Sequence, residues 1–403
     1  MLKAESVLTK MLLILSRFLR GNQRHISYGL VVLVTVSRPV ALSPNLTMLP
    51  DPPDDPAGFT QWLVLANEIG TANALREAEE LIAKAEAAWQ ERIRYSASEQ
   101  LPALEEYIRK LAETPMIKSG FERLDEMIGG GLHEGLYALG AIPSLGKSTI
   151  VAQIGDAVAE QGHPVFMFSL EMSRFELMAR SISRLTCTLD KSPGKALAKS
   201  TRGILDGRRY SYYNVEESNL IAIAKEEYRR IADKRIYIYE GLDEINMLRI
   251  NEVVDDFVQR TGRKPVVIVD YLQIIPPVPL GPGFQARNQK QETDANVHAL
   301  KKLSRRHGIP VIVVSSFNRD AYRKQAGMES FKESGGIEYT ADVLLGMQYI
   351  NGIGEWNFDQ AKRRTPREIE LLILKNRNGE AFGSVQFKYW ARLNIFVETG
   401  STK

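Results

Sequence analysis

From Lys118 onward the chain alternates between two hydrophobic rhythms. Short, nearly unbroken apolar runs occur at Leu136–Gly140, Val165–Ser169, Arg235–Tyr239, Val266–Asp270 and Val311–Ser315. Runs of this kind suit strands buried on both faces. Between them lie stretches with a three-to-four spacing of apolar positions: Thr149–Glu160, Arg174–Leu185, Ile245–Gln259 and Glu292–Arg306. These predict helices, with Gly162 and Gly262 where helix C-caps fall. Strand and helix in alternation predict a mostly parallel sheet covered on both faces. The last runs, Ile369–Lys375, Ser384–Tyr389 and Leu393–Glu398, crowd together with turn residues between them. They read as an antiparallel extension of the same sheet.

The front of the chain follows other rules. Leu75, Ala78, Ile82, Ala85, Trp89 and Ile93 form one stripe, and Leu101, Leu104, Ile108 and Leu111 form a second, ended by Pro115. Both predict amphipathic helices that need a surface to pack on. Before them, Pro50 to Pro56 holds four prolines in seven residues, which excludes a helix interior or a central strand and marks a linker. The expected organisation is a divergent or poorly ordered extension over 1–57, a helical linker region over 58–114 and an α/β domain over 115–403.

Composition narrows the field. The 403 residues are 44% hydrophobic and 25% charged, an ordinary globular balance. The lone cysteine, Cys187, excludes an internal disulfide and a cysteine-rich zinc module. The apolar runs Met11–Leu15 and Gly29–Val36 fall short of the ~20 residues that span a bilayer, and Arg17 and Arg20 break the first as a signal. A cytoplasmic protein with no membrane partner is expected. A formal charge of +3 means that any nucleic-acid contact must come from a local patch.

The chemistry-bearing residues cluster after predicted strands. Ala141-Ile-Pro143-Ser144-Leu145-Gly146-Lys147-Ser148-Thr149 follows one strand and opens a helix, the context of a phosphate loop. Its backbone N–H groups and helix N-terminus suit phosphate, Lys147 supplies a point charge and Ser148 a hydroxyl for Mg2+. Asp270 ends an apolar run and is expected beside that loop as a second Mg2+ contact. Glu171 ends another run and is placed to act as the base for attacking water. Past Pro276–Gly283 come Arg287 and Lys290, candidates for a basic channel, then Lys301, Lys302, Arg305 and Arg306, which read as a solvated helix face.

In order, Ser119–Asp125, Ala141–Ser148, Ser169-Leu-Glu-Met172, Asp270-Tyr-Leu-Gln273, Glu333–Glu338 and Lys375-Asn-Arg-Asn-Gly379 resemble the motifs of the RecA-like ATPase domain of DnaB-type replicative helicases. The resemblance spans residues 118–398. It implies a RecA-like P-loop fold, ATP and Mg2+ as cofactors, and a homo-oligomeric ring, a hexamer in the family, that unwinds DNA. It makes Glu171 the catalytic glutamate, Asp270 the Mg2+-side aspartate, and Lys375 and Arg377 a pair reaching the neighbouring subunit's ATP. It makes Lys332, Glu333 and Gly335 part of a loop gripping single-stranded DNA, with Gly335-Gly336 N–H groups donating to phosphate. A primase or helicase loader is the further partner it implies.

Two departures stand out. Ser316 occupies the place of the family's γ-phosphate-sensing glutamine, and Lys332 that of an arginine. The serine and the atypical front keep a second reading open: a RecA-like assembly, recombination or loader protein that binds single-stranded DNA without unwinding.

Overall fold

The computed structural model describes residues 94–113, 116–241, 245–278, 288–318, 324–331, 335–350, 358–377 and 383–402, with Glu91, Ala321, Gly379 and Ala381 besides. The chain divides into two compact units, Met1–Thr114 and Pro115–Lys403. In the first, the described helix is α1 (Leu101–Glu113), and Leu101, Leu104 and Ile108 all stand exposed on it. The expectations for residues 1–90 lie outside the described residues.

The second unit runs α2 (Glu122–Met127), β1 (Gly135–Ala141), α3 (Lys147–Glu160), β2 (Val165–Ser169), α4 (Arg174–Leu189), α5 (Thr201–Leu205), α6 (Val215–Ala232), β3 (Ile236–Glu240), α7 (Met247–Thr261), β4 (Val266–Asp270), α8 (Gln289–His307), β5 (Pro310–Ser316), α9 (Gly335–Thr340), β6 (Val343–Tyr349), α10 (Phe358–Arg363), β7 (Arg367–Asn376), β8 (Ser384–Trp390) and β9 (Ile395–Thr402). Among the described residues the strands form one sheet ordered β3-β2-β4-β5-β1-β6-β7-β8-β9. The first six are mutually parallel, and β7, β8 and β9 add to β6 in antiparallel fashion. The α/β class and both halves of the predicted sheet are therefore as expected.

The apolar runs became strands because they are buried throughout: β1, β2 and β4 have no exposed position. Among the elements not anticipated, β6 and α6 are the most consequential. β6 carries Gly346 in its middle, which blunts its signature as a strand. A side chain there would collide with Leu374 of β7, so the glycine is what lets the antiparallel extension close on the parallel sheet. The helix α6 has a narrow stripe (Leu220, Ile221, Ala224, Tyr228) among many charges, and with α4 and α5 it encloses a small second core.

Right-handed crossovers put α3, α4 and α6 on one face and α7, α8 and α9 on the other. Chain direction across the sheet reverses at β1, where a ligand crevice is expected beyond the carboxyl ends. The opening motif is a structural turn: Ser119 N donates to Asp125 at 2.9 Å, and Gly120 (φ 86°) lies against Ala157, leaving no room for a Cβ. Lys301 departs from the solvated-face expectation. It is paired with Asp342, which also accepts from Leu136 N at the foot of β1 (2.7 Å).

The end of the sheet is tied back to α4 by Arg184. This buried guanidinium pairs with Asp156 of α3 and donates to Asn394 O (3.0 Å) and Ser181 Oγ (3.1 Å). Removing one partner of such a pair strands the other charge in the interior. Arg184→Ala is expected to lower the unfolding free energy by about 3 kcal/mol, read from urea denaturation. A loss no larger than that of an exposed arginine would contradict this.

Candidate functional site

The loop between β1 and α3 is the centre of the crevice. It needs backbone that most residues avoid. Gly146 sits at φ 98°, and Ser144 takes the left-handed conformation at φ 67°. Gly146 is also pressed against a stack of Tyr389 and Phe396, whose rings lie 4.0 Å apart and 7° from parallel. A Cβ on Gly146 would fall within 2.8 Å of Phe396 and 2.9 Å of Tyr389, so only glycine fits on both counts. Pro143 and Ser144 are exposed at the loop's crest while Leu145 anchors it below. Lys147 curls back over the loop, its Nζ donating to Ala141 O (3.1 Å) and Ile142 O (3.3 Å).

The structure brings the two predicted carboxylates to this loop. Ser169 and Asp270 are in register on β2 and β4. The turn after Ser169 is held by its own hydroxyl, which donates to Met172 O (2.7 Å). That turn carries Glu171, exposed at the crevice and close enough for its charge to act on Lys147, Asp270 and Tyr271. Asp270 is buried. Burial pushes its carboxyl above the usual carboxylate range; Glu171 adds to this, while a hydrogen bond from Ser148 and the charges of Lys147 and Arg180 oppose it. Burial likewise pulls the Lys147 ammonium below its ordinary value, against the attraction of Asp270 and Glu171.

One Asp270 oxygen, Oδ2, is buried without a hydrogen-bond partner. An anionic oxygen in that state asks for a cation. With Ser148 bonded to the same carboxylate, the pair suits Mg2+, which takes few protein ligands and fills its shell with water and phosphate oxygens. Among the described residues no cluster of three or more histidine, cysteine or acidic side chains is found.

Ser316, at the end of β5, lies in register with Ala141. Beside it is Gln273, whose amide donates to Ser315 Oγ (2.8 Å) and accepts from Ser316 N (3.4 Å). Sequence reasoning quoted Gln273 in a motif but gave it no role. It also missed Arg180, which donates to Thr149 Oγ1 at 3.2 Å, and Arg367, which donates to Ser144 O at 2.9 Å. Arg180 had a visible signal: with Arg184 it forms an i, i+4 pair on one face of α4, meeting Thr149 and Asp156 on α3.

Lys375 and Arg377 are brought together, but far from this crevice. Lys375 Nζ donates to Glu338 O (2.7 Å), and Arg377 donates to Tyr339 O (2.7 Å) at the end of α9. Burial, then repulsion from Arg377, pulls the Lys375 ammonium down. Asn376 between them pairs with Val343, which is level with Tyr137 of β1. Ala141 lies four residues further along β1, about 13 Å away along the strand. Lys332, Glu333 and Arg287 lie outside the described residues; Lys290 is exposed on the first turn of α8, and Gly335 opens α9. The N–H of Gly336, expected to serve a phosphate, is instead donated to Asp294 Oδ1 at 3.0 Å.

The sequence profile of the DnaB-like helicase C terminal domain matches residues 116–398. The chain belongs to that family. It is 30% identical over 270 residues to the "Replicative DNA helicase DnaB" of Leifsonia xyli subsp. xyli, covering 65% of this chain and 52% of the relative. It is 28% identical over 289 residues to that of Geobacillus stearothermophilus, covering 70% and 56%. The chain thus spans about half the length of the curated relatives it matches. The fold also resembles a solved structure described as a DnaB-like replicative helicase and its interactions with primase (TM-score 0.61, 20% identity, 86% of this chain and 80% of the other). A second solved structure, described as an ATPase domain, is similar to the same degree (TM-score 0.61, 21% identity, 76% and 99%). Among the described residues no helix is long and apolar enough to cross a membrane.

The buried carboxylate yields a test with a clear sign. A carboxyl raised in the folded state binds more protons than in the unfolded chain, so its contribution to stability is lost as pH rises from the ordinary carboxylate range through the folded value. At neutral pH the buried Asp270 carboxyl therefore costs stability. Asp270→Asn is expected to raise the melting temperature by about 2 °C or more. A lowered melting temperature would show that the carboxylate is held by partners rather than stranded.

Proposed function

We propose that this chain is the ATP-driven motor of a DnaB-type helicase, a ring in which ATP is hydrolysed at subunit interfaces to move along single-stranded DNA and unwind duplex. One observation carries the reading: the phosphate loop and the Lys375–Arg377 pair lie toward opposite ends of one sheet. A single chain cannot close its own site with that pair. A head-to-tail neighbour can, and repetition of such a contact gives a ring or filament.

On this reading the loop's backbone N–H groups from Ser144 to Thr149 and the N-terminus of α3 hold the phosphates, and Lys147 leaves the Ala141 and Ile142 carbonyls to meet the outer ones. Ser148 and Asp270 would hold Mg2+, which would supply positive charge to the phosphates. Glu171 accepts the proton of the attacking water. Ser316 and Gln273 stand beside the outer phosphate. Arg377, with Lys375, faces the charge that develops on the neighbour's phosphoryl group; such a finger is worth about 10³–10⁵ in rate. DNA meets Lys332, Glu333 and Gly335 on one loop and Arg287 and Lys290 on another, and primase or a loader engages the assembled ring. Relatives named as replicative helicases favour this over a loader or recombination protein.

Lys147→Ala should lose strand displacement in Mg-ATP, and wild-type activity in that variant would sink the motor reading. Arg377→Ala should keep nucleotide affinity within about threefold yet lose about 10³ in turnover. Mixing the two inactive variants should restore part of the ATPase, because some interfaces then pair an intact loop with an intact finger; no recovery in any mixture that still assembles would exclude action in trans. Affinity for oligo(dT) should fall steeply between low and physiological salt, and a flat response would remove the phosphate-contact reading.

A further inference from the structure

Ser316 leaves this chain without the long polar side chain its family places between the nucleotide and DNA. The residues next to it form a different link. Phe317 N donates to Ala141 O (3.1 Å), at the root of the phosphate loop. Its ring meets that of Phe331 edge to face, with centroids 5.2 Å apart and planes at 77°. The two residues also form an isolated antiparallel bridge. Asn318 zips the same segments together, its N donating to Ser330 O (2.8 Å) and its Nδ2 to Glu329 O (2.8 Å). Both rings are buried. They enter because Gly140, the residue before Ala141, has no side chain: a Cβ there would collide with Phe317 Cε1 and fall 2.7 Å from Phe331 Cε1.

We propose that Phe317 and Phe331 are positioning residues that couple the state of the phosphate loop to the segment leading into α9, doing by packing what a glutamine does by hydrogen bonding. The inference rests on the DNA-motor reading above. Phe331 stands four residues before Gly335, where α9 begins. A buried contact between two rings transmits a small shift because each ring packs directly on the other. Gln273 bonds Ser315 and Ser316 on the nucleotide side, while Asn318 ties the end of β5 to the backbone of Ala321, Glu329 and Ser330 and so supports the aromatic contact from its polar side. From α9 the link continues to the far end of the sheet, where the Glu338 and Tyr339 carbonyls hold Lys375 and Arg377.

The test compares ATP turnover with and without saturating oligo(dT) in wild type, Phe331→Leu and Phe331→Ala. Coupling predicts that basal turnover stays within about twofold while stimulation by oligo(dT) falls about fivefold or more, further in the alanine variant than in the leucine variant. It also predicts that the difference in oligo(dT) affinity between the ADP-bound and ATP-analogue-bound protein shrinks in the same order. A merely structural role would lower basal and stimulated rates together, along with the melting temperature, and that result overturns the proposal. So does stimulation equal to wild type in Phe331→Leu, the variant expected to fold if alanine does not. If wild type itself neither binds oligo(dT) nor responds to it, the DNA reading falls and takes this inference with it. That outcome is distinct from a responsive wild type with equally responsive variants, which removes the coupling alone.

Discussion

The direction of β7 governs everything else in this molecule. Six parallel strands deliver their carboxyl ends to one edge, and there the phosphate loop, Asp270 and Glu171 converge. Because β7 returns antiparallel along β6, it carries Lys375 and Arg377 toward the other edge. The Lys375–Arg377 pair and the phosphate loop are thus separated by the length of the sheet. The proposed ring follows from a strand orientation that Gly346 permits by letting Leu374 lie flat against it.

The crevice itself is built from groups that are unfavourable where they stand. Asp270 is buried with one oxygen unpartnered, and Lys147 is half-buried on loop carbonyls. Neither arrangement makes the nucleotide-free fold more stable. Both leave charge that is poorly solvated and held in fixed positions, which is the condition for strong interaction with a polyphosphate and its cation. The surrounding structure carries the burden: apolar β1, β2 and β4, the Arg184–Asp156 pair behind α3, and Arg180 close to both Thr149 and Asp270. Local disagreement with good folding chemistry is thus concentrated at the place where the chemistry of the ligand is expected to resolve it.

Much of this was legible in the sequence, for physical reasons. Strands buried on both faces must be apolar throughout, so β1, β2, β4 and β5 announced themselves, and a loop that wraps phosphate must combine glycine, lysine and a hydroxyl in fixed order. Periodicity describes one element at a time, however. It could not show that Gln273 reaches the end of β5, that Arg367 holds Ser144 across more than two hundred residues, or that Asp294 takes the Gly336 N–H. β6 escaped notice because its central glycine interrupts the pattern that its neighbours complete. Lys301 looked solvated because its partner, Asp342, is distant in sequence and close only in the fold.

The Tyr389–Phe396 stack behind Gly146 has a consequence for how the protein is made. The phosphate loop is translated some 250 residues before the rings that support it. During synthesis, β1 and α3 emerge long before β8 and β9 exist, so the loop spends that interval without its backing. Contacts so far apart in sequence form slowly and late. A nascent chain of this kind acquires a properly seated phosphate loop only after β8 and β9 have been made, so the loop's final geometry depends on strands that appear well after the loop itself.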